Sequence, residues 1–166
     1  MARLVLVGLP GVGKSTLASL VASEWHCEAL DTDEELARIV GCAAPEHLRR
    51  VGPLAFRESE LAALGRVVER DAVIATGGGI VTLAPARAIL RREVTFWLDG
   101  DDDVLVSRLG DGDRPLLGDP IEPSLRALRA ERERWYLDVA RVRIDAGGAP
   151  REVLTRIIEA WSSVSS

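Results

Sequence analysis

The sequence predicts an α/β fold in three layers, a five-stranded parallel sheet with helices on both faces. Short continuous apolar runs recur along the chain, as strands buried on both sides of a parallel sheet require. Stretches with helical apolar spacing separate them. The first apolar run also passes through a glycine-rich loop into the first helical stretch. A length of 166 residues suits a single domain, 1-166, around one core.

Leu4 to Val7, ended by Gly8, reads as the first strand, and Leu17, Leu20 and Val21 then share one helical face. A weaker strand is expected near Ala29-Leu30. Phe56 opens a helix after Gly52-Pro53, and Leu61, Leu64, Val67 and Val68 continue it on one face. Val73 to Ala75 is the third strand and runs into Thr76-Gly77-Gly78-Gly79. Val94 to Leu98 is the fourth, and Val142 to Ile144 a weaker fifth. Val153, Leu154, Ile157, Ile158 and Trp161 form the clearest amphipathic stripe, opened by Pro150. Gly110 to Asp113, with Gly118-Asp119-Pro120 shortly after, is rich in turn residues and suits a mobile lid over residues 109-119.

Composition narrows the function. Apolar residues make up 47% and charged residues 28%, which points away from disorder and fibrous repeats. A net charge of −5 argues against a nucleic-acid or anionic-membrane surface, so any anion site must be local. No apolar run reaches membrane-spanning length, and the first residues lead directly into a strand, so a cytoplasmic protein is expected. Cys27 and Cys42 lack metal-ligand spacing and read as reduced small hydrophobes. Twenty of the 21 basic residues are arginine; the one lysine is Lys14.

Gly8 to Ser15 fits G-x-x-x-x-G-K-[ST], placed between a buried strand and an amphipathic helix as its mechanism demands. The backbone N–H groups of Gly11, Val12, Gly13, Lys14, Ser15 and Thr16 are expected to ring the phosphates, helped by the helix dipole. Lys14 is to reach the β- and γ-phosphates, and Ser15 is to place its hydroxyl on Mg²⁺. A compact ammonium fits inside such a loop where a planar guanidinium does not, which explains one lysine in an arginine-rich chain. A dinucleotide-binding loop is excluded, because Thr16 stands where its third glycine belongs. The loop by itself leaves open whether the chain phosphorylates an acceptor or acts as a switch.

Other residues bear on the acceptor. Asp31 and Asp33 follow the second strand; in extended backbone, residues two apart project to one side. One carboxylate can hold Mg²⁺ through water and the other can orient an attacking hydroxyl, although helix capping also accounts for one aspartate. Arg57 and Glu60, three apart on a helix, alone would be a solvated surface pair worth under ~1 kcal/mol. The three glycines, Gly77, Gly78 and Gly79, permit close backbone approach to a ligand. Arg114, in Arg114-Pro115-Leu116-Leu117, would arrive with lid closure to neutralise phosphoryl charge. Arg132 and Tyr136 stand four apart on a later helix.

In order, these motifs resemble the shikimate kinase family over nearly the whole chain: a P-loop, D-x-D, F-R-x-x-E, G-G-G, R-P-L and R-x-x-x-Y. The resemblance implies a P-loop NTPase fold of the nucleoside-monophosphate-kinase type, with a substrate-binding region at 34-60 and a lid. It implies phosphorylation of the 3-hydroxyl of shikimate by MgATP, in a monomer without nucleic-acid or membrane partners. Lys14 and Arg114 would act on ATP phosphates, Arg108 at the adenine, and Ser15 and water-linked Asp31 on Mg²⁺. Arg57 and Arg132 would hold the shikimate carboxylate, with Asp33 and the backbone of Gly78 and Gly79 on its hydroxyls. The chain departs from the family pattern at Pro53, where many members carry glutamate, and after Asp145, where Ala-Gly-Gly-Ala replaces basic residues. A gluconate-type kinase and a nucleotide-binding regulator without turnover are the alternatives.

Overall fold

The computed structural model describes residues 1–109 and 121–164. Among them, five parallel strands form one sheet in the order β2-β3-β1-β4-β5. They are β1 Leu4–Val7, β2 Glu28–Asp31, β3 Ala72–Ala75, β4 Thr95–Asp99 and β5 Val142–Asp145. The helices are α1 Lys14–Glu24, α2 Thr32–Val40, α3 Ala44–Val67, α4 Ala84–Leu90, α5 Asp102–Leu109, α6 Ile121–Val139 and α7 Pro150–Val164, with one 3-10 turn at Ile80–Thr82. The fold class read from the sequence is the one observed.

Burial explains which strands were easy to read. The inner strands β1 and β3 are buried at every residue, so they read as unbroken apolar runs. β2 and β5 are the edges, and Glu28 and Arg143 on them face solvent, which dilutes the signal. Register places Val5 beside Ile74 of β3 and Thr95 of β4 at the centre of the core. The stripes of α1 and α7 meet on one face of the sheet, where the rings of Trp25 and Trp161 stand 4.8 Å apart.

A second, smaller cluster of Leu36, Leu48, Phe56 and Ala63 joins α2 to α3. α3 is kinked at Gly52, whose φ of 80° and ψ of 169° suit essentially glycine alone. Pro53 starts the helical segment beyond the kink, where its missing N–H has no helical acceptor to lose. The departure from the family pattern at Pro53 is thereby absorbed at a helix start. Among the described residues no helix is long and apolar enough to cross a membrane.

Sheet order positions the site. The chain leaves β1 toward β2 on one side and leaves β3 toward β4 on the other, so the loops after these adjacent strands diverge. A crevice opens at their carboxyl ends, as open α/β sheets provide for ligands.

Candidate active site

The crevice is a cleft of about 480 Å³ walled by three loops. The loop after β1 supplies Gly11, Gly13, Lys14, Ser15 and Thr16; the β2–α2 junction supplies Asp31 and Asp33; the loop after β3 supplies Gly77, Gly78 and Gly79. Arg57 and Glu60 enter from α3, Arg108 from α5 and Arg132 from α6. Of the residues singled out from the sequence, Val12 is buried outside this cleft and borders a second cavity beside it, and Arg114 lies outside the described residues. The expected lid at 109-119 also lies outside them, save Leu109 at the end of α5.

On the phosphate side, Gly13 caps α1 in a left-handed conformation with φ of 98°, aiming the first turn's N–H groups into the loop. The Lys14 ammonium, 9% exposed, donates to the Gly8 and Leu9 carbonyls at 2.9 Å each. The Ser15 hydroxyl donates to Asp31 Oδ2 at 2.5 Å. Arg108 donates to the Val12 carbonyl at 3.4 Å and borders a second cavity of about 340 Å³ beside Thr16, Ala146, Gly148 and Pro150.

The two aspartates reach the cleft by a route other than strand alternation. Asp31 ends β2 and caps α2, its Oδ1 accepting from the Asp33 N–H at 2.8 Å, while Asp33 is already helical. Cap geometry therefore brings the carboxylates together, because the chain turns into a helix before a second extended residue can project. Thr32 between them, which no motif marks, accepts from the Gly77 N–H at 2.9 Å and ties α2 to the end of β3.

The Arg57–Glu60 pair is not a surface pair. The two side chains are 14% and 5% exposed and hydrogen-bonded inside the cleft wall. Burial raises the Glu60 pKa above the usual glutamate value, with Arg57 opposing that rise. Helical spacing alone revealed the pair; its burial comes from the packing of α3 against α2 and the glycine loop after β3. The glycines fit tightly around it. A Cβ on Gly77 would lie 2.9 Å from an Asp33 carboxylate oxygen, and one on Gly79 would overlap the Arg57 guanidinium.

Arg132 is 5% exposed, and its Nε has no hydrogen-bond partner among the described residues. A buried guanidinium with an unused donor, lining a cleft, is suited to an anion. Tyr136, one turn on, donates its hydroxyl to the Gly78 carbonyl at 2.7 Å.

A phosphate loop facing a pair of buried guanidiniums and an aspartate across one cleft defines a P-loop phosphotransferase with a small acidic acceptor. The match to known families narrows this. The chain belongs to the shikimate kinase family, whose model matches residues 10–162. It is 40% identical to the shikimate kinase of Novosphingobium aromaticivorans over 172 residues, covering 95% of this chain and 88% of that one. The structure of shikimate kinase from Acinetobacter baumannii in complex with shikimate superimposes with a TM-score of 0.91 at 32% identity, covering 98% of this chain and 94% of that one. A gluconokinase from Sinorhizobium meliloti 1021 shares the fold, at a TM-score of 0.64 and 18% identity over 98% of this chain and 93% of that one. Kinases of this family use ATP, and such enzymes generally need a divalent metal.

Proposed function

We propose that this chain transfers the γ-phosphoryl group of MgATP to the 3-hydroxyl of shikimate. The observation that carries the reading is the position of Arg57 and Arg132 in one cleft with Lys14, Asp33 and the glycine end of β3. A small hydroxylated acid offers little apolar area, so its binding must come from charge-assisted contacts. Two guanidiniums supply these for the carboxylate, while Asp33 and the backbone of Gly77 to Gly79 address the hydroxyls. Arg57 is pre-set by Glu60, which limits the entropy lost on binding.

Lys14 and the loop N–H groups hold the phosphates, and Asp33 orients the attacking hydroxyl, where a loose transition state asks for positioning more than for a strong base. The second cavity, between Arg108 and Pro150, is of a size and lining to take a purine. Arg114 is assigned to the transferred phosphoryl by family resemblance, and residues 109-119 to a lid. The Ser15 hydroxyl and Asp31 carboxylate converge as hard oxygen donors, and no cluster of three or more acidic, histidine or cysteine ligands exists among the described residues. That set fits Mg²⁺, which takes few protein ligands and completes its shell with water and phosphate. When bound, the ion neutralises phosphate charge; Ser15 and water-linked Asp31 would hold it. One chain supplies both sides of the cleft, which supports a monomer as the working unit, and a need for MgATP is consistent with the expected cytoplasmic setting.

ADP release measured with shikimate, quinate and gluconate side by side tests the reading. Turnover is expected with shikimate well above the other two. Equal use of gluconate, or no turnover with shikimate, overturns it.

A further inference from the structure

The Tyr136 ring is sealed in the core at 1% exposure, stacked on Trp97 with centroids 5.8 Å apart and planes 18° off parallel. A ring so placed needs no hydroxyl for packing; phenylalanine would serve. The hydroxyl nevertheless has two specific neighbours. It donates to the Gly78 carbonyl, and Arg132, four residues earlier on the same face of α6, is its charged neighbour. Both belong to the acid-binding wall of the cleft.

The Gly78–Gly79 peptide is planar, so the Gly78 carbonyl and the Gly79 N–H point in opposite directions. Fixing the carbonyl therefore fixes the N–H. Among the described residues no backbone carbonyl accepts from that N–H, and Gly79 lines the cleft. Glycine peptides rotate readily, and three in a row would otherwise leave the donor poorly aimed.

We infer that Tyr136 is a positioning residue for the acid acceptor, its hydroxyl fixing the Gly78 carbonyl and so aiming the Gly79 N–H at the ligand that the neighbouring Arg132 also faces. This rests on the proposed shikimate reading. The phenol holds its proton well past neutrality, because burial pushes its pKa up to about 12, so the donor persists throughout any working pH range.

The test is Tyr136→Phe in the full chain, with Trp97→Phe as a packing control. Tyr136→Phe is expected to raise the KM for shikimate about tenfold, because a buried carbonyl loses its donor and Arg132 its neighbour, while the KM for ATP stays within about twofold. Trp97→Phe is expected to lower the melting temperature with the shikimate KM unchanged. Equal rises in both KM values for Tyr136→Phe, or none, overturn the assignment, as does a matching rise in shikimate KM for Trp97→Phe. A wild-type chain inactive with shikimate overturns the functional reading and this assignment with it. An active wild type alongside an indistinguishable Tyr136→Phe overturns the assignment alone.

Discussion

Truncating Arg57 removes the proposed ligand contact and strands Glu60 in the cleft wall at the same time. The first effect dominates kinetics: Arg57→Ala is expected to raise the shikimate KM about ten- to a hundredfold, the value of a charge-assisted contact, with ATP affinity nearly intact. Steady-state kinetics with each substrate varied in turn checks this, and equal loss for both contradicts the assignment. Glu60 limits the structural damage, because a carboxyl whose pKa burial has already raised can take a proton once its partner is gone. The identities of Arg57, Arg132 and the three glycines were legible in the sequence, since motifs are local. The burial of Arg57 with Glu60 was not, for it depends on what α3 packs against. Thr32 was invisible for a similar reason, as a buried threonine between two aspartates has no periodicity to mark it.

At the scale of elements, the β2–α2 junction joins two jobs in Asp31. Its carboxylate caps α2 through the Asp33 N–H and also accepts from Ser15, beside which the metal is proposed to sit. Asparagine caps a helix as well as aspartate does, whereas alanine loses the cap at about 1 kcal/mol. Asp31→Asn is thus expected to keep wild-type stability in urea while needing more Mg²⁺ for half-maximal rate, and Asp31→Ala to lose both. Denaturant midpoints and Mg²⁺ titrations separate the two. The inner strands and the stripes of α1 and α7 could be read directly, because full burial or a clean stripe writes itself into composition. The short helices α2, α4 and α5 could not. Their buried residues are few, two each, and the helices are too short for a stripe to repeat. The same limit applies to Asp31 and Asp33, where a cap and an extended strand both bring two carboxylates to one place.

For the whole molecule, Tyr136 provides a direct readout of core integrity, being the chain's single tyrosine. Its folded pKa, about 12, lies above the ordinary phenol value near 10, so the stability it lends is fully present below pH 10 and is lost as pH rises toward 12. That loss amounts to roughly 2–3 kcal/mol over the window. Phenolate absorbance is expected to titrate near pH 12 in the folded chain and near 10 in urea, and a midpoint near 10 in the folded chain contradicts the sealed ring. The lysine pattern has an outcome of its own. Apart from the chain's α-amino group, an acylating reagent finds a single primary amine in the molecule, and that amine lies in the phosphate loop. Labelling yield at Lys14, followed by mass, is therefore an occupancy gauge for the proposed nucleotide site free of background from other lysines, and coupling to amine-reactive beads would tether the protein only by its α-amino group or by that same site.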